Sequence, residues 1–181
     1  MKVTETSLKG CFIIEPTLFE DDRGVFFESY NHDKFEASIG QQIDVVQDNH
    51  SISHKGVLRG LHFQTGKYAQ SKLVRVAKGK AMDVVVDLRT DSITFGQHFK
   101  MLLSESNAKM LFVPKGMAHG FLALEQNTVF LYKCDAYYHK ESEGGIIYND
   151  AELRIDWEYP LNRVLLSRKD LELPSFKYVM S

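Results

Sequence analysis

The sequence predicts a mainly β protein, a sandwich or small barrel with a few short helices. Short runs of β-branched and aromatic residues recur through most of the 181 residues. Turn signals separate them at Asp22-Arg-Gly24, Lys78-Gly79, Pro114-Lys-Gly116 and Gly144-Gly145. Helical patterning is sparse, which argues against strands joined by crossover helices.

In chain order, strands are expected at Val25-Phe-Phe-Glu28, Ile43–Gln47, Val57–Phe63, Lys72–Val76, Ala81–Leu88, Met110–Val113 and Thr128–Lys133. Asn31 to Ile39 predicts a short helix with Asn31 as its cap, and Ser167 to Asp170 begins another. Alternation places Thr128, Phe130, Tyr132 and Cys134 on one face of their strand, and Lys72, Val74 and Val76 on one face of theirs. Simple alternation separates Arg59 from His62, and Gly60 between them offers a bulge or kink that would relieve the conflict.

At this length one domain spanning residues 1–181 is expected, with one sizeable core. The 44% hydrophobic and 25% charged fractions are those of a soluble globular chain. A net charge of -2 points away from nucleic acid and from acidic membrane surfaces. No apolar run approaches the roughly 20 residues of a membrane span, and the start lacks an export signal core, so a cytoplasmic location is expected. Cys11 and Cys134 are too few for a disulfide scaffold; they fit reduced thiols, with a single bridge left open.

The polar residues are more informative. Gly56-Val-Leu-Arg-Gly-Leu-His-Phe-Gln64, Lys72 and Pro114-Lys-Gly-Met-Ala-His119 have a spacing similar to the two sequence boxes of a cupin, a small β-barrel that often holds a metal. Most of the ligands are missing here. Two histidines without a carboxylate or thiolate make a poor metal site, and a nearby lysine would repel the ion. Arg59, Gln64 and Lys72 lie instead on segments that read as core strands. Cations there need an anionic ligand or partner charges. Tyr132 offers a general acid opposite a histidine base, and Asp170 a carboxylate to orient that histidine. Each residue alone also has a bland reading: a packed histidine, a core tyrosine, a solvated aspartate.

The ordered motifs continue along nearly the whole chain: Asp22-Arg-Gly-x-Phe-x-Glu28, Gln47-Asp-Asn-His-Ser51, Leu58-Arg-Gly-Leu-His-x-Gln64, Gln70-x-Lys-Leu-Val74, Asp83-Val-Val-Val-Asp-Leu-Arg89, Ser92-x-Thr-Phe-Gly96, Pro114-x-Gly-x-Ala-His-Gly-Phe121 and Leu166-Ser-x-Lys-Asp170, with Tyr132, Tyr138, Glu143, Asn149-Asp150 and Trp157 between them. Together they resemble the dTDP-4-dehydrorhamnose 3,5-epimerase family, whose fold is a cupin-type β-barrel (jelly roll). Phe63 stands where such enzymes often have tyrosine.

The resemblance implies inversion of C3 and C5 of dTDP-4-dehydro-6-deoxy-glucose, without metal or organic cofactor. It implies His62 as base, Asp170 as its orienting partner, Lys72 as stabiliser of the enolate and Tyr132 as acid. Arg23, Phe26, Glu28, Gln47, Asn49, Arg59, His119, Tyr138, Glu143 and Lys169 are the implied substrate contacts, with Tyr138 on the thymine. A homodimer is implied too, in which Gly10-Cys-Phe-Ile-Ile14 pairs with the partner's sheet and Arg23 or Glu28 completes the partner's site. The alternatives are an epimerase acting at one centre, a metal-dependent cupin oxygenase and a non-catalytic nucleotide-sugar binding module.

Overall fold

The computed structural model describes residues 1–181. Its strands are β1 (Lys2–Glu5), β2 (Phe12–Glu15), β3 (Phe19–Asp21), β4 (Gly24–Phe26), β5 (Gln47–Ser53), β6 (Leu58–Gln64), β7 (Lys72–Lys78), β8 (Lys80–Asp87), β9 (His98–Ser104), β10 (Met110–Val113), β11 (Met117–Ala123), β12 (Thr128–Cys134) and β13 (Glu143–Gly145). Three short helices are added: α1 (His32–Ile39), α2 (Arg168–Leu171) and α3 (Phe176–Val179). One six-stranded sheet runs β1-β2-β10-β7-β12-β5, a five-stranded sheet runs β13-β6-β11-β8-β9, and β3-β4 is a separate hairpin. This is the mainly β, cupin-like architecture expected.

Apolar side chains fill three layers. Val74, Val76, Leu111 and Phe130 of the first sheet meet Val85, Leu103 and Phe121 of the second. The outer face of the second sheet (Leu58, Leu61, Met82, Val84, Leu122) is covered by the C-terminal segment through Ile146, Leu153, Trp157 and Phe176. The outer face of the first is covered by α1 through Phe35 and Ile39. Strands buried on both faces lose polar alternation, which is why Ala81 to Asp87 is buried throughout. Helix α1 begins at Asn31, whose side chain accepts the Lys34 N–H, and ends at Gly40 in the left-handed region.

Several expected boundaries move. The strand expected at Ile43–Gln47 begins at Gln47 and runs to Ser53, and Val25–Glu28 contracts to Gly24–Phe26. The expected strands did not include β1, β3, β9, β11 or β13. Cys11 and Cys134 are both free and buried, which closes the question of a bridge. Burial pushes the Cys11 thiol up to about 12 and the Cys134 thiol to about 11. The segment Gly10–Ile14, expected to need a partner's sheet, contains β2, which lies between β1 and β10 of its own chain. Both its edges are paired within the chain, so the segment does not stand as an uncovered edge.

The bulge at Gly60 is present. His62 faces His119 and Arg59 faces Phe121, so three steps along β6 match two along β11. The extra residue returns Arg59 and His62 to the same inward face while Leu58 and Leu61 point outward. Gly60 has φ 121°, and a Cβ there would stand 2.6 Å from Gly120 Cα and 2.8 Å from the His119 carbonyl oxygen. The backbone conformation and the close approach both require glycine. Gly60→Ala is expected to destabilise the fold by about 2–4 kcal/mol. Thermal and denaturant unfolding check this; a variant as stable as wild type would show that the bulge tolerates a side chain.

Candidate active site

The bulge opens β6 into a cavity between the sheets, lined by Arg59, His62, His119 and Phe121 from the second sheet and Ser51, Lys72, Phe130 and Tyr132 from the first, with Ser167, Lys169 and Asp170 closing one side. Phe121 and Phe130 stack across the gap with centroids 3.9 Å apart and planes 4° from parallel, forming an apolar wall. Lys72 and Tyr132 reach the cavity because β7 and β12 present alternate residues inward, as the alternation predicted.

His62 Nε2 lies 2.6 Å from Asp170 Oδ1. Asp170 Oδ2 accepts the Ser167 hydroxyl at 2.8 Å, and Ser167 Oγ accepts the Asp170 N–H, capping α2. Burial alone would raise the Asp170 carboxyl; the hydrogen bonds from His62 and Ser167 and the positive charge nearby reverse this and hold it below its ordinary value. An ionised Asp170 can only accept, so Nε2 carries the proton and the lone pair is on Nδ1.

The only hydrogen bond of Lys72 Nζ is a long one, 3.5 Å to the His62 carbonyl oxygen. Burial lowers its pKa, and surrounding acidic groups oppose that shift. Tyr132 is raised chiefly by burial, so its phenol keeps its proton at neutral pH.

Asp83 is the principal residue that sequence reasoning missed as a partner. It is fully buried, and its Oδ2 lies 2.9 Å from His119 Nε2. The signal was available: a carboxylate in the middle of an apolar strand, on the same face as Ala81 and Val85. Ser51, Ser167, Phe121 and Phe130 also line the cavity without having been singled out for it.

A second group of expected residues forms one rim. Tyr138 donates its hydroxyl to Glu143 Oε2 at 2.8 Å, and Lys169 Nζ meets the same carboxylate. Burial would raise Glu143; these hydrogen bonds bring it below its usual range. Gln47 Oε1 accepts the Tyr138 N–H at 2.9 Å, and its Nε2 donates to Asn49 Oδ1. Arg59 Nε reaches Ser53 Oγ at 3.2 Å.

Arg23, Phe26 and Glu28 are elsewhere. Arg23 stands at the β3–β4 turn, paired with Asp21; Phe26 is 71% exposed; Glu28 binds Lys34 at 3.0 Å. None of the three lines the cavity of its own chain.

A family model described as dTDP-4-dehydrorhamnose 3,5-epimerase matches residues 5–178. The chain is 49% identical over 173 residues to the dTDP-4-dehydrorhamnose 3,5-epimerase of Escherichia coli K12, covering 96% of this chain and 93% of that one. The crystal structure of dTDP-4-dehydrorhamnose 3,5-epimerase from Elizabethkingia anophelis superposes with a TM-score of 0.96 at 52% identity, covering 100% of this chain and 99% of the other. A dTDP-6-deoxy-D-glucose-3,5-epimerase from Legionella pneumophila, solved in complex with dTDP-4-keto-L-rhamnose, gives 0.94 at 43% identity, with 98% and 94% covered.

Because the Asp170 carboxyl titrates below its ordinary 3.8 in the folded chain, the stability it supplies is complete above that value and is lost as pH falls through the folded value. Asp170→Asn is therefore expected to be less stable than wild type at pH 7, with the gap closing below about pH 4. Denaturant unfolding across that range checks it; a constant gap would remove Asp170 from the linkage.

Proposed function

The chain belongs to the dTDP-4-dehydrorhamnose 3,5-epimerase family, and from that premise we propose how its residues share the chemistry. The enzyme is an isomerase that inverts C3 and C5 of dTDP-4-dehydro-6-deoxy-glucose, giving dTDP-4-dehydro-rhamnose. The observation that carries the assignment of roles is the His62–Asp170 pair at 2.6 Å, facing a cavity that also holds a lysine without a carboxylate partner.

The C4 ketone acidifies the hydrogens on both neighbouring carbons. His62 Nδ1 takes one of them, and the electron pair left on carbon moves to the ketone oxygen as an enolate. Asp170 stabilises the imidazolium. Lys72 is a desolvated charge held in advance, and it stabilises the enolate oxygen more than a hydrated one could. Tyr132, on β12 of the opposite sheet, returns a proton to the other face of the ring. The proton delivered is not the one removed, so each inverted centre takes a hydrogen from solvent once the two groups have exchanged with water. The same pair acts again at the second carbon after the sugar shifts.

Arg59 and Lys169 place positive charge for the diphosphate, and His119 adds a polar contact. Tyr138 stacks on the thymine, beside Glu143, Gln47 and Asn49. Residues 1–181 form one domain of a cytoplasmic homodimer, a location supported by two free buried thiols. The hairpin β3-β4 carries the dimer contact: Phe19, Val25 and Phe26 are 60%, 56% and 71% exposed, the kind of apolar cluster that marks an interaction surface. Arg23, Phe26 and Glu28 then reach the partner's site. The hairpin takes the exchanging role first read into Gly10–Ile14.

In deuterated water, wild type is expected to place deuterium at both C3 and C5. Deuterium at one carbon alone would make this a single-centre epimerase. His62→Ala should reduce exchange at both by at least about 10²-fold, whereas Tyr132→Phe should retain exchange without inversion. NMR of both carbons reads these outcomes, and normal exchange in His62→Ala would assign the base elsewhere.

The dimer reading is tested by mixing inactive Arg23→Ala and His62→Ala proteins. If Arg23 serves the partner's site, each mixed dimer regains one intact site, up to about a quarter of wild-type activity. No recovery on subunit exchange would place Arg23 with its own chain.

A further inference from the structure

Strand β12 ends at Cys134, and the chain then runs from Ala136 to His139 outside either sheet before a short turn at Lys140–Ser142. This stretch carries Tyr138 at the rim, where the residue is 53% exposed. Main-chain groups of four consecutive residues here are held by side-chain amides instead of a neighbouring strand. Gln70 Nε2 donates to the Ala136 carbonyl at 2.8 Å. Gln64 Nε2 makes a longer contact, 3.5 Å, to the Tyr137 carbonyl. Gln47 Oε1 accepts the Tyr138 N–H at 2.9 Å, and Gln64 Oε1 accepts the His139 N–H at 2.7 Å. The three glutamines come from β5, the end of β6 and the turn before β7.

We propose that Gln64 and Gln70 are positioning residues for nucleotide binding, acting with Gln47 as an amide clamp that presents Tyr138 to the base. The proposal rests on the reading of Tyr138 as the base-stacking residue. Gln64 is the centre of the clamp. The residue is 7% exposed, and its side chain works in both directions, accepting from His139 and donating to the carbonyls of Tyr68 and Tyr137. A primary amide, with two N–H donors and a carbonyl acceptor, can make all three contacts. A carboxylate of the same shape would turn an acceptor toward two carbonyl oxygens. The far side of the segment is fixed by the Tyr68 and His139 rings, stacked 3.8 Å apart with planes 1° from parallel. Tyr138 thus meets the ligand already ordered, which lowers the entropy lost on binding.

The clamp acts on affinity and leaves the proton-transfer groups where they are. Titration calorimetry with dTDP as the probe reads it, alongside turnover at saturating substrate. Gln64→Glu is expected to weaken dTDP about tenfold at pH 8, with turnover within about threefold of wild type. Acidification gives the new carboxyl an O–H donor, so the ratio of its Kd to that of wild type should shrink toward pH 5. In a Tyr138→Ala background the same substitution should add less than twofold. Gln70→Ala should weaken dTDP about threefold; it loses one hydrogen bond at a less buried position and serves if Gln64→Glu fails to fold. Unchanged dTDP affinity in Tyr138→Ala would overturn the stacking reading and the clamp with it. Weakened binding in Tyr138→Ala, with wild-type affinity in Gln64→Glu and Gln70→Ala, would overturn the clamp alone. An undiminished effect of Gln64→Glu without Tyr138 would also overturn it.

Discussion

A single extra residue in β6 is the constraint on which the site depends. In an unbroken strand the face that carries Arg59 would carry Leu61, and His62 would point out into the apolar layer against Trp157. The bulge at Gly60 reverses the pleat for everything after it, so that Leu61 joins that layer and His62 enters the cavity. Two glycines make it possible. Gly60 adopts a backbone conformation that side chains resist, and Gly120 opposite leaves room for the strands to close. The remaining polar groups need no such device, because the ordinary pleat of β7, β8, β11 and β12 already turns Lys72, Asp83, His119 and Tyr132 inward.

The second requirement is to keep buried charge and imidazole in defined states. His62 and His119 face each other across the β6–β11 pairing, and each has its Nε2 committed to an aspartate. The aspartates come from different places. Asp83 belongs to the sheet itself, whereas Asp170 arrives from α2, more than a hundred residues beyond His62. The lysine between these groups lacks a carboxylate, so a negative charge developing in the cavity meets a cation that no neighbour has neutralised.

Much of this was legible in the sequence. The inward faces of β7 and β12 followed from alternation, the helix after Asn31 from its cap, and the joining of Arg59 to His62 from a glycine at the point of conflict. The ordered motifs carried the family. What was not legible depended on tertiary pairing. Nothing local marks His98–Ser104 as the edge strand beside β8, or Glu143–Gly145 as the partner of β6. Gly10–Ile14 read as an edge in need of cover because the strands that flank it, β1 and β10, are a short charged segment and one a hundred residues away. Asp83 stood out as a carboxylate in an apolar run, but its pairing with His119 depended on the neighbouring strand β11. Gln47 read as a substrate contact; its amide also holds the Tyr138 N–H and Asn49 within the chain, which the sequence did not reveal.

The C-terminal segment covers the outer face of the second sheet through Trp157 and Phe176, and the same segment supplies Asp170 and Lys169 to the cavity. The reactive centre is therefore shared between the sandwich and a wrapped tail that meets it through side-chain packing and, at Leu165, through main-chain hydrogen bonds with Gly56 and Leu58. Elements of that kind open locally at lower free energy than the sheets they cover. Detachment of the tail would take Asp170 away from His62 while both sheets stay closed.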